Sequence, residues 1–131
     1  LDPGFAADFP LEILIAEDNM INQKLIITIL GKLGYRPDLV ENGVEVLKQL
    51  QVTTYDLILM DIQMPEMGGV EATTIIRQQN SYQPTVVAMT ANAMPEDKEA
   101  YLKAGMDDYL PKPIQLSELI SILSKVALEK G

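Results

Sequence analysis

Short apolar runs alternate along the chain with longer stretches in which apolar positions recur every three or four residues. The runs are Leu11–Ala16 (LEILIA), Arg36–Val40, Leu57–Met60 (LILM), Thr85–Met89 and Asp108–Leu110, each of strand length. Between them lie helical stripes. Ile21, Leu25, Ile26, Ile29, Leu30 and Leu33 form the first, closed by Gly31 and Gly34; Val44, Leu47 and Leu50 mark a shorter one after the Asn42-Gly43 turn; a third runs from about Gly69 to Gln78. Asn80–Pro84 (NSYQP) reads as a loop. A weaker helix is expected over Pro95 to Ala104, with proline in its first turn and Gly105 after its end. Leu116, Leu119, Ile120, Leu123, Val126 and Ala127 give the most regular stripe.

Five alternations of strand and helix predict an α/β fold: a parallel sheet with helices on both faces. The wholly apolar Leu57–Met60 belongs at its centre. Pro37 removes a backbone donor, which confines the second strand to an edge. With right-handed crossovers this favours the strand order 2-1-3-4-5, a flavodoxin-like (βα)5 three-layer sandwich. Residues 1–10 hold two prolines and a glycine and fall outside the pattern. They read as a linker, an expression remnant or a processed start, leaving 11–131 as one domain.

A net charge of -9 without any Lys/Arg run argues against direct nucleic-acid binding and for cations, basic surfaces or proteins as partners. The chain has no cysteine, hence no disulfide, thiolate metal site or thiol nucleophile, which fits a cytoplasmic protein. No apolar stretch is long enough to span a bilayer, so no membrane contact by this domain is expected, although a parent protein could be membrane-bound.

In a parallel sheet the carboxyl ends of the strands share one edge, where ligands bind beside the point of strand reversal. Strand one delivers Glu17 and Asp18 there, strand three Asp61, strand four Thr90 and strand five Lys112. Singly each has an ordinary explanation: Asp18 or Asn19 as a helix N-cap, Thr90 as a turn hydroxyl, Lys112 as surface charge. Asp61 resists one, because it ends a buried run and a buried carboxylate needs compensation. Three adjacent carboxylates repel unless a cation joins them, and an all-oxygen set suits Mg²⁺. With Lys112 and Thr90 beside it, the edge is shaped for a phosphoryl group, and Asp61 can attack phosphorus to form an acyl phosphate. The chain has no histidine, so no Ser-His or Cys-His pair competes with that reading.

In this order these residues resemble the receiver domain of two-component response regulators, from Leu11 to about Leu128. The resemblance implies that Asp61 is the phosphoacceptor. It implies that Asp18 and Asp61 bind Mg²⁺ with the backbone carbonyl of Gln63, and that Glu17 reaches the ion directly or through water. Thr90 and Lys112 would contact the phosphoryl group, with backbone amides near Ile62–Gln63 and Ala91. It further implies a switch, in which Thr90 moves inward and Tyr109 fills the vacated space; the alternative is a Tyr109 packed statically. The Lys112-Pro113 bond is expected to be cis, while Pro111 departs from the usual pattern. EDNMINQ (Glu17–Gln23) and DIQMPEMGGVEAT (Asp61–Thr73) look like receivers of hybrid sensor histidine kinases, with Asn22 and Gln23 docking a partner or capping the helix. The donor would be a phosphohistidine on a histidine kinase or a histidine-phosphotransfer domain. Such a domain catalyses its own phosphorylation and dephosphorylation.

Three rivals stand beside this reading. A receiver-like module could bind proteins without phosphorylation, although docking alone does not require these five side chains. A haloacid-dehalogenase-type phosphatase needs a second acid two positions after the nucleophile, where this chain has Gln63. An FMN carrier shares the fold, but the acids would repel the cofactor phosphate.

Overall fold

A computed structural model describes residues 2–79, 81–91 and 94–130. Leu1 of the expected linker and Asn80 of the expected loop lie outside them. After one helical turn, α1 (Phe5–Asp8), come β1 (Ile13–Ala16), α2 (Met20–Lys32), β2 (Asp38–Val40), α3 (Gly43–Val52) and β3 (Leu57–Asp61). There follow α4 (Gly69–Gln79), β4 (Thr85–Thr90), α5 (Pro95–Ala104), β5 (Asp108–Pro111) and α6 (Leu116–Lys130). All strand pairs are parallel, in the order β2-β1-β3-β4-β5, the flavodoxin-like arrangement expected. β2 lies at an edge, with Pro37 just outside its ladder.

Because successive strand residues face opposite sides, each strand feeds two cores. Ile13, Ile15, Leu57, Leu59, Val87 and Met89 pack against Ile26 and Leu30 of α2, Leu33 just after it, and Leu119, Leu123 and Val126 of α6. Leu14, Ala16, Ile58, Met60, Val86 and Ala88 face α3, α4 and α5 through Val46, Ala72, Ile76 and Tyr101. The register sets Leu59 beside Ile15 on one side and Val87 on the other. Every residue of β3 is buried, so each of its large side chains contributes about 1.5–3 kcal/mol.

Three expectations need correction. The first helical stripe is narrower than its sequence suggests: Ile26, Leu30 and Leu33 are buried, but Ile21 is 78% and Leu25 42% exposed. A helix laid on a sheet buries one face, and α2 carries more apolar residues than that face holds. In α3 Leu47 and Leu50 pack on the core as expected, but the buried residues are Gly43 and Val46, and in α6 Ile122 is buried while Leu116 is exposed. Of the ten residues expected as linker, Phe5–Asp8 form a helical turn fastened to the domain. The Ala6 amide donates to the Leu33 carbonyl at 2.9 Å, the Tyr35 hydroxyl donates to the Phe9 carbonyl at 2.6 Å, and Phe5 packs on the α2/α6 core.

Candidate functional site

Parallel pairing brings the ends of β1, β3, β4 and β5 to one edge, and with them Glu17, Asp18, Asp61, Thr90 and Lys112. All five line one cleft of about 550 Å³, together with Gln63. Local chemistry frees Asp18. It is Asn19 whose side chain caps α2, accepting from the Ile21 and Asn22 amides at 2.9 and 3.1 Å, so Asp18 stays exposed with its oxygens unspent on the cap. Gln23 is tied to the end of β1. Its side-chain amide donates to the Glu17 carbonyl at 2.6 Å and fixes the turn from β1 into α2.

Lys112 holds the site together. Its Nζ lies 3.0 Å from Glu17 Oε1 and 3.1 Å from Asp61 Oδ1, with Glu17 fully buried and Asp61 only 6% exposed. Glu17 Oε2 accepts from the Asn19 amide at 3.0 Å. Burial first, and then the neighbouring Glu17 carboxyl, push the Asp61 pKa up to about 6; Lys112 offsets part of this. Burial also works against an ionised Glu17, but the Asn19 amide and Lys112 outweigh it and hold its pKa low. Lys112 is held protonated, because the two carboxylates overcome the burial of its charge. Glu17 therefore ionises first and Asp61 keeps its proton longer.

The residues fit a hard divalent cation. Oxygens of Glu17, Asp18 and Asp61 lie within 4.8 Å of one another, against about 4.2 Å between opposite ligands of an octahedral ion with 2.1 Å bonds. The Lys112 ammonium meets two of these carboxylates, Glu17 and Asp61. Glu17 Oε1 is buried and meets Lys112 as a charge contact, without an aligned hydrogen bond.

The loop after β3 is shaped by close backbone approach. A Cβ on Gly69 would collide with the Asp61 carbonyl oxygen, and one on Gly68 would sit 2.7 Å from the Ile62 carbonyl. Glycine there lets α4 start directly under the strand end. Between them the Met67 amide donates to the Pro65 carbonyl at 2.7 Å across Glu66, whose φ of 65° lies in the region that favours glycine. The Lys112-Pro113 bond is cis.

Two residues of the cleft, Asp97 and Tyr101 of α5, escaped the sequence reading. Tyr101 of α5 lines the cleft, is 6% exposed, and its hydroxyl lies 3.0 Å from Thr90 Oγ1. The available signal was a phenol on the inner face of a polar helix, since a buried tyrosine hydroxyl finds a partner. Tyr109 packs outside the cleft wall against the α3/α4/α5 core, its ring 4.7 Å from the Lys98 ammonium. Asn22 lines the cleft at the start of α2, where Met20 and Ile21 are 77% and 78% exposed.

Comparison with known proteins agrees with this geometry. Residues 13–124 match the family described as the response regulator receiver domain. Histidine protein kinase 1 of Candida albicans is 43% identical over 134 residues, which cover 94% of this chain but 5% of that protein. The chain thus spans a small part of the curated relatives it matches. The crystal structure of the receiver domain of a Pseudomonas aeruginosa sensor histidine kinase, with a magnesium ion coordinated in its active-site cleft, is 42% identical. It superposes with a TM-score of 0.82 over 89% of this chain and 97% of that one. A co-crystal structure of the Saccharomyces cerevisiae histidine phosphotransfer protein Ypd1 with the receiver domain of its response regulator Ssk1 matches at 30% identity and a TM-score of 0.85. That match covers 92% of this chain and 90% of the other.

Proposed function

The chain belongs to the response regulator receiver domain family, and from that premise we propose that it accepts a phosphoryl group on Asp61 from a phosphohistidine of a partner. The observation that carries this is the buried Asp61 carboxylate, held 3.1 Å from Lys112 and within chelating reach of Glu17 and Asp18. A carboxylate oxygen of Asp61 attacks phosphorus in line. The P–N bond of the phosphoimidazole breaks, its electron pair goes to the imidazole, and an acyl phosphate forms on Asp61. Lys112 is fully charged and already placed against Asp61, so it meets the negative charge on the moving phosphoryl oxygens. Thr90 donates its hydroxyl proton to one of those oxygens, joined by amides near Ile62–Gln63 and Ala91. Glu17, Asp18, Asp61 and the Gln63 carbonyl would hold Mg²⁺, which supplies charge neutralisation for the transfer when bound. Water later attacks phosphorus, releasing phosphate and the Asp61 carboxylate.

As the output step, Thr90 moves toward the phosphoryl group and Tyr109 turns into the space behind it. The donor docks on the start of α2, where exposed Met20, Ile21 and Ile27 form an apolar ridge beside Asn22 and the cleft. The Ypd1 complex of a relative and the sensor-kinase origin of another support a phosphotransfer partner and a parent hybrid kinase. Among the described residues no helix is long and apolar enough to cross a membrane. The test is intact-protein mass after acetyl phosphate with Mg²⁺. The wild type gains one phosphoryl group and Asp61→Asn gains none; equal uptake by both would reject Asp61 as the acceptor.

A further inference from the structure

Thr90 ends β4 almost fully buried, and its hydroxyl lies 3.0 Å from the hydroxyl of Tyr101. Tyr101 cannot follow a moving threonine easily, because its ring is packed among the apolar residues under α3, α4 and α5. One turn earlier on the same face of α5, Lys98 sets its ammonium 4.7 Å from the Tyr109 ring, within cation–π range. β4 and β5 are neighbours, with Ala88 opposite Tyr109. A single helical turn therefore grips both groups that the receiver switch has to move.

We propose that Tyr101 is a positioning residue that holds Thr90 in its resting place, with Lys98 holding Tyr109 beside it, so that α5 sets how readily the domain adopts its phosphorylated arrangement. The inference rests on the receiver reading of Asp61 and Thr90. Either hydroxyl can donate in this contact, and a Thr90 that moves to the phosphoryl group leaves the packed phenol behind. A contact made in only one of two states shifts their balance by its own free energy. For one hydrogen bond the shift is about three- to tenfold.

The measurements are phosphate uptake from acetyl phosphate with Mg²⁺, read by intact mass, and the affinity for beryllofluoride with Mg²⁺, read by calorimetry. Melting temperature is followed alongside. Tyr101→Phe keeps the ring and is expected to bind beryllofluoride about three- to tenfold tighter and to take up phosphate faster, while melting no higher than wild type. Lys98→Met, at a half-exposed position, is expected to give a smaller gain of about twofold. A merely structural tyrosine would lower the melting temperature without tightening the anion. Wild-type uptake combined with unchanged or weaker beryllofluoride binding by Tyr101→Phe would overturn the proposal. A wild type that takes up no phosphate would overturn the receiver reading and this inference with it.

Discussion

Replacing Asp61 by asparagine keeps the side-chain volume and removes one charge from a site where charge is expensive. The Asp61 pKa stands at about 6 against an ordinary 3.8, raised first by burial and then by Glu17. Two units at 1.36 kcal/mol each mean that the ionised carboxylate costs the metal-free fold about 3 kcal/mol above pH 6. Between pH 4 and 6 the folded state binds more protons at Asp61 than the unfolded one. Asp61's contribution to stability therefore falls as pH rises through that window and levels off above it, opposite in sign to that of Glu17. The variant has no such slope, but it loses the ion pair at 3.1 Å, which returns part of the gain. A net stabilisation of about 1–2 kcal/mol at pH 8 is expected in the presence of a chelator, roughly 3–7 °C in melting temperature. Urea and thermal unfolding of both proteins from pH 4.5 to 8 measures it. An Asp61→Asn variant less stable than wild type at pH 8 without metal, or an equal pH slope in both, would refute the assigned electrostatics.

Magnesium is expected to stabilise the wild type by about 2.7 kcal/mol at a hundredfold excess over its dissociation constant, and Asp61→Asn clearly less, as thermal shifts at pH 8 will show. Lys112→Met leaves Glu17 and Asp61 facing each other without a cation. Metal-free, it is expected to be destabilised by about 3 kcal/mol at pH 8 and by much less at pH 5, where Asp61 is protonated; equal losses at both would contradict the ion-pair assignment. Ile21→Glu on the α2 ridge is expected to slow transfer from a phosphorylated histidine-phosphotransfer protein at least tenfold while leaving uptake from acetyl phosphate unchanged. Parallel loss with both donors would place Ile21 in the chemistry and not the docking.

The parts of this molecule legible in its sequence are those governed by periodicity and by the parallel sheet. Five strand segments, an edge position for the Pro37 segment and a shared strand edge were enough to bring Glu17, Asp18, Asp61, Thr90 and Lys112 together. What escaped depends on packing between elements distant along the chain. The exposure of Ile21 and Leu25 is decided by how α2 settles on the sheet, which no stripe on a single helix can show. Tyr101 meets Thr90 only because α5 crosses the end of β4. The N-terminal turn is held by Leu33 and Tyr35, partners that proline and glycine content cannot reveal.

The strict alternation along β3 has one more consequence. Leu57 and Leu59 serve one core, Ile58 and Met60 the other, and Asp61 takes the next step at the cleft. The strand therefore works as a ruler with two scales, one measuring hydrophobic fit and the other the distance to the Asp61 carboxylate. Losing a residue anywhere between Leu57 and Asp61 would have to sacrifice either the facing of the apolar side chains or the address of the carboxylate. Spacing in this segment can thus change only at the expense of the packing on both faces or of the place of the Asp61 carboxylate.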